Sequence, residues 1–259
     1  PAVLFADEPS GNLDTKTKTD LHNLFFELRE KYGADVSLIQ CDLQSGASVI
    51  EATKELIKAE PDILIHNAGA YSIPKETCDT GYGNVFQINF VSPYTIIREL
   101  MPSLSERKGK VVIVGSIAHN YSKSDPDDID FRTRKKASLV YGNAKRYLMY
   151  SALKLSKINP DTSFAITHPG ITFTNITAHY PKLIFAIIKH PMKIIFMKPR
   201  LAALSIIDGL FNKTENYNWI GPKFFNIWGK PTKKALKTAT TDEIKLMYNT
   251  CEEIYSKIC

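Results

Sequence analysis

Short apolar runs that end in turn residues alternate along this chain with segments of helical periodicity, and that alternation points to a parallel α/β sheet. The runs fall at 1–6, 36–40, 62–66, 110–116, 163–167 and 224–228. Helical patterns lie between them at about 15–32, 48–58, 80–102, 140–157 and 201–211, and a tail helix covers about 242–257. In the first helix Leu21, Leu24, Phe25 and Leu28 share one face, and Pro102 is expected to end the third. Right-handed strand–helix–strand connections would set such strands side by side. A chain of 259 residues with 44% hydrophobic content can enclose a sizeable core in one domain.

The helical pattern near 140–157 opens with Tyr141-Gly-Asn-Ala-Lys145, and the apolar run before it closes on Ser116. Tyr and Lys four apart on a helix share a face. A phenol has an unperturbed pKa near 10, so proton transfer near pH 7 needs a shift of roughly three units, about 4 kcal/mol. An ammonium about 4 Å away at an effective dielectric near 20 supplies roughly that much. Ser116, at the carboxyl end of a parallel strand, could hold a substrate oxygen beside the phenol. Taken alone, this spacing more often marks a solvated helix face.

Its surroundings change the odds. The run at 62–66 ends in Asn67-Ala68-Gly69, Phe86-Gln-Ile-Asn89-Phe lies on the next helix, and His168-Pro169-Gly170-Ile-Thr172-Phe-Thr174 follows the strand at 163–167. In this order and spacing the chain resembles the short-chain dehydrogenase/reductase family from about Gly33 to about Gly229. The Ser-Ile-Ala-His after Gly115 and the 25-residue gap to Tyr141 look like its retinol-dehydrogenase branch. The resemblance implies a Rossmann-like, doubly wound parallel sheet in three αβα layers. It implies hydride transfer between NAD or NADP and a small-molecule carbonyl or alcohol. Ser116, Tyr141, Lys145 and Asn89 would form the catalytic set. Asp42, Asn67, Ala68, Gly69, Tyr141, Lys145, Pro169, Gly170, Thr172 and Thr174 would contact the cofactor. Considered alone, Asp42 reads equally well as a turn residue, and Asn89 as an ordinary helix polar group.

The beginning departs from that family. Its members open with a strand and a TGxxxGxG turn that holds the cofactor pyrophosphate at a helix N-terminus. Here the only glycine before Gly33 is Gly11. Residues 2–14, AVLFADEPSGNLD, instead resemble the Walker B strand and D-loop of ABC transporter ATPases. In that family the residue matching Asp7 helps hold Mg²⁺, and the one matching Glu8 orients the attacking water. ATP hydrolysis also needs a GxxxxGK[ST] loop, which occurs nowhere in this chain. The expectation is therefore one domain over 1–259, with an atypical piece at 1–32 joined to a dehydrogenase body at 33–259. The first nucleotide-binding half would be incomplete or replaced. The Asp7-Glu8 pair would repel an anionic pyrophosphate, so a catalytically impaired remnant is an alternative to the active enzyme. An ATP-binding transport component is the remaining alternative.

The net charge of +6 reads as a mildly basic surface with no nucleic-acid partner implied. Cys41, Cys78, Cys251 and Cys259 show no metal-ligand spacing, and no metal site is expected; His66 reads as packing. Asp125, Asp127, Asp128 and Asp130 lack the glycine and distal Glu of an EF-hand loop and read as a solvated insertion. No signal-peptide or membrane-spanning pattern is present, and the expected location is cytoplasmic. The stripe of Tyr147, Tyr150 and Leu153 reads as core or as a homodimer contact. The apolar stretch 182–198, with lysines at 182, 189, 193 and 198, matches the family's substrate lid and would imply a lipophilic substrate. Peripheral membrane contact through 182–198 and a buried helix pair are the other readings.

Overall fold

In the computed structural model the apolar runs gather into one sheet. The structure describes residues 2–5, 23, 27, 30–33, 37–121, 123–171, 197–215 and 217–259. Strands β1 (Ala2–Phe5), β2 (Ile63–His66), β3 (Lys110–Val114), β4 (Ser163–Thr167), β5 (Asn218–Phe224) and β6 (Trp228–Ala235) lie side by side in chain order. The first five are parallel, and β6 returns antiparallel from β5. Among the described residues the helices with defined ends are α1 (Gly46–Ala59), α2 (Asn84–Phe86), α3 (Ser92–Glu106), α4 (Ala137–Ile158), α5 (Pro199–Phe211) and α6 (Thr241–Ile258).

Alternating side chains of the strands divide between two apolar layers, as period-2 geometry requires. On one face Leu64, Val111, Ile113, Phe164 and Ile166 join Ile97 and Leu100 of α3 and Leu148 and Leu155 of α4. On the other, Ile65, Val112 and Ala165 meet Ile206 and Leu210 of α5. Burying each large aliphatic chain contributes about 1.5–3 kcal/mol, which is why helices cover both faces. The result is the expected αβα Rossmann-like fold. β1 pairs with β2, and among the described residues no strand lies on its outer side.

Four local expectations are corrected. Residues 37–40 are not a strand, although 36–40 was read as one; Leu38 is 64% exposed and only Ile39 packs on the core. The aromatic stretch 224–228 is the bend between β5 and β6, where Phe225 and Asn226 take φ of 53° and 59°. Pro102 lies inside α3, which continues to Glu106; fully buried Leu104 beyond it offsets the bond that proline cannot make. The helix expected from residue 80 begins at Asn84.

The aromatic stripe of α4 is core. Tyr147, Tyr150 and Leu153 are buried in the same layer as Ile244, Met247, Cys251 and Ile254 of α6, and α6 itself covers the outer side of α4.

Candidate functional site

The carboxyl ends of β2, β3 and β4 lie along one edge of the sheet, and each leads into a turn. After β3, Ser116 caps a single 3₁₀ turn (Ile117–Asn120), its hydroxyl accepting from Ala118 N–H at 3.2 Å. The N-terminal part of α4 presses onto this turn. Gly142 permits it: a Cβ there would lie 2.2 Å from the Ala118 carbonyl oxygen. This contact sets Tyr141 beside Ser116, whose side chain acts to lower the phenol pKa. The Tyr141 ring also meets Tyr71 edge-on, with centroids 5.4 Å apart.

Lys145 follows one helical turn later and is buried. Its Nζ donates to Val114 O at 3.1 Å and lies 5.8 Å from the Tyr141 ring centre. The sequence reading expects this ammonium to lower the phenol pKa; burial acts the other way, pushing Tyr141 up to about 12, and the Ser116 side chain opposes that rise. The ammonium also bonds the strand carbonyl of Val114.

Asn89 sits where the helix between α2 and α3 widens into a π-helical turn (Gln87–Val91). Its Nδ2 donates to Val85 O and to Ala70 O, both at 2.8 Å. The first of these is the carbonyl one turn back, and a side chain bonded there loosens the regular ladder. Asn89 Oδ1 is buried and has no partner among the described residues. A Cβ on Gly69 would lie 2.6 Å from that oxygen and 3.2 Å from Lys145 Nζ, so both polar atoms converge on the Gly69 backbone. Only glycine fits there without displacing one of them.

Of the expected cofactor contacts, Asn67 and Gly69 are exposed at the end of β2 and Ala68 is buried. Gly170 is buried at φ 85°, with Ile227 O 2.6 Å from where a Cβ would stand, and Pro169 precedes it half-buried. Asp42 is part of its own turn: Oδ1 accepts from Gln44 N–H at 2.9 Å, and its N–H donates to Ser48 Oγ. Thr172, Thr174 and the stretch 182–196 lie outside the described residues.

Three histidines surround the strand ends, all buried and held neutral. Burial lowers His66 to about 3, His119 to about 4 and His168 to about 4. His119 Nδ1 is 2.5 Å from Ser116 O, and His168 stacks on Trp219. Among the described residues no group of His, Cys, Asp and Glu is arranged to hold a metal.

Two features escaped the sequence reading. Arg146, next to Lys145, is a buried guanidinium that donates to His119 O at 2.7 Å and pairs with Glu243 of α6 at 2.6 Å. No local pattern announces a partner almost a hundred residues away. The aspartate-rich loop is also more than a solvated insertion. Asp130 is buried, accepts from Gly83 N–H at 2.8 Å and pairs with Arg132, while Asn143 of α4 holds Ile129 O at 2.7 Å.

Residues 12–124 match the family described as short chain dehydrogenase. Retinol dehydrogenase 14 of Mus musculus is 27% identical over 154 residues, 57% of this chain and 46% of that protein. The aligned part thus spans less than half of that relative's length. The lipoprotein-releasing system ATP-binding protein LolD of Bacteroides thetaiotaomicron is 44% identical over 57 residues, 22% of this chain and 26% of that protein. That is a longer likeness than the first 30 or so residues. A crystal structure of an uncharacterised protein from Mycobacterium paratuberculosis superposes with a TM-score of 0.67 at 18% identity. It covers 94% of this chain and 81% of that one, and shows the fold.

Proposed function

We propose that this chain, which belongs to the short-chain dehydrogenase/reductase family, is an oxidoreductase that interconverts a carbonyl and an alcohol with a nicotinamide cofactor. The observation that carries the reading is the contact of the Tyr141 phenol with the Ser116 hydroxyl beside the Gly69 backbone, where Asn89 Oδ1 and Lys145 Nζ converge.

The residues at this end of the sheet fit a nicotinamide and its ribose. Asn89 Oδ1 is a buried acceptor awaiting a donor, and Gly69 and Gly170 keep backbone open to close approach. Asn67, Ala68, Gly69, Lys145, Pro169 and Gly170 would hold the group, with Thr172 and Thr174 completing its amide contacts. Their identities suit NAD and NADP alike. The cofactor supplies or takes the hydride. Ser116 Oγ holds the substrate oxygen, and Tyr141 Oη protonates it as the alcohol forms. A phenol held near 12 carries its proton at neutral pH. Lys145 places a positive charge behind the phenol, and Asn89 Oδ1 orders the proton path toward it. The apolar sequence of 182–198 fits a lipophilic substrate.

A second reading rests on the N-terminal sequence. The Asp7-Glu8 sequence would repel an anionic pyrophosphate brought near it, and on that reading the chain is an impaired remnant. Titration with NADH and NADPH, followed by nicotinamide fluorescence, separates the two. Saturable enhancement with either supports the enzyme, and none at millimolar cofactor supports the remnant. In an active preparation Tyr141→Phe lowers carbonyl reduction by about 10²-fold or more; unchanged turnover would remove Tyr141 from the proton path. A transport role would need ATP to raise the melting temperature.

A further inference from the structure

The β5–β6 hairpin projects aromatic side chains into solvent. Phe225 at its bend is 82% exposed, and Phe224 (44%) stacks on Trp228 (46%) with ring centres 4.7 Å apart. The bend itself is firmly built. Lys234 Nζ donates to Pro222 O and Asn226 Oδ1, the Asn226 carbonyl lies 3.1 Å from His168 Nε2, and Ile171 N–H bonds Ile227 O. Three large rings held outward on a braced turn are a costly exposure for a surface that serves only water.

The segment that carries them is basic. Residues 197–237 carry eight Lys and Arg against two Asp and Glu, a surplus equal to the net +6 of the whole chain. Lys223 and Lys230 flank the aromatic bend and are exposed. The start of α5 reaches the same end of the sheet, since Met197 N–H bonds Ile171 O. It brings exposed Lys198, Arg200 and Leu201. Exposed aromatics ringed by lysine are matched by an interface that is apolar beneath and anionic above, which is a bilayer containing acidic lipid. A second copy of this chain would bring the same positive charge against itself.

We infer that the Phe224–Trp228 bend, with Lys223 and Lys230 beside it, docks this protein onto anionic membrane surfaces. The inference rests on the hairpin and does not depend on the oxidoreductase reading. Trp228 is a built-in reporter, because the other tryptophan, Trp219, is buried. The full chain is mixed with phosphatidylcholine vesicles with and without phosphatidylserine. Sedimentation with the acidic vesicles and a blue-shifted emission that is absent from Trp228→Phe are expected. Phe225→Asn removes the outermost ring while suiting the left-handed backbone, and should weaken vesicle binding at least fivefold without lowering the melting temperature. Reversing charge with Lys223→Glu and Lys230→Glu should weaken it more than tenfold, since each basic residue near an acidic surface contributes about fivefold. Equal sedimentation with neutral vesicles, or none with either, would overturn the proposal. So would a concentration-dependent dimer that Phe225→Asn abolishes, which would assign the hairpin to a second copy instead.

Discussion

Gly142 rides over the carbonyl of Ala118, so closely that a methyl group on it would lie 2.2 Å from the Ala118 oxygen. This approach sets the distance between α4, which carries Tyr141, and the turn that carries Ser116. The obstruction would be backbone, which cannot rotate away as a side chain would. Gly142→Ala should therefore push α4 off the turn and part Tyr141 from Ser116, although alanine is the better helix former by about 1 kcal/mol. We expect a net loss of about 1–3 kcal/mol in urea denaturation. Unchanged or raised stability would show that the turn yields.

Gly69→Ala tests the convergence at the end of β2. The added Cβ would meet Asn89 Oδ1 at 2.6 Å, and the amide must leave or the strand end must move. Cofactor fluorescence enhancement should fall at least tenfold in affinity, with the melting temperature down by only a few degrees. Full affinity in a folded variant would mean that Asn89 is not held where the cofactor needs it.

Glu243→Gln should destabilise far more than a surface charge change. Its carboxylate pairs with Arg146, which is 3% exposed and cannot recover water when the partner is lost. Breaking a buried pair from one side costs about 3–5 kcal/mol. The double replacement Arg146→Met with Glu243→Leu should return most of it, and a double-mutant cycle in urea measures the coupling. A loss under about 1 kcal/mol would show that the pair is screened.

The buried histidines set an acid limit. His119 and His168 have folded values near 4, below the ordinary 6.5. A depressed value means that the neutral form is favoured by folding. That stability is present above pH 6.5 and is lost as pH falls toward 4. Each histidine contributes about 3 kcal/mol over that window at 1.36 kcal/mol per pKa unit. The urea midpoint should drop steadily from pH 6.5 to pH 4.5, whereas a flat profile would show the imidazoles to be hydrated.

Much of this was legible in the chain. The runs at 62–66, 110–116 and 163–167 are continuous, β-branched and bounded by turn residues, as fully buried parallel strands are, and they became β2, β3 and β4 nearly residue for residue. The order of Asn89, Ser116, Tyr141 and Lys145 was equally readable, because each belongs to a short motif at the end of an element. The run at 224–228 misled for a physical reason. Its apolar content suggested burial, but two left-handed residues bend the chain there and turn the rings outward. Periodicity cannot distinguish an aromatic strand from an aromatic bend.

By itself the sequence determined which segments pair with the core and which short motifs stand at the ends of elements, since both follow from local pattern. Distance and direction were left to the tertiary structure. Lys145 points to Val114 O because α4 is seated by Gly142 and Arg146, the latter held by Glu243 on a helix almost a hundred residues away. The environment of Tyr141 is then decided by what buries it. Packing in three dimensions sets that burial, and with it the phenol's acidity.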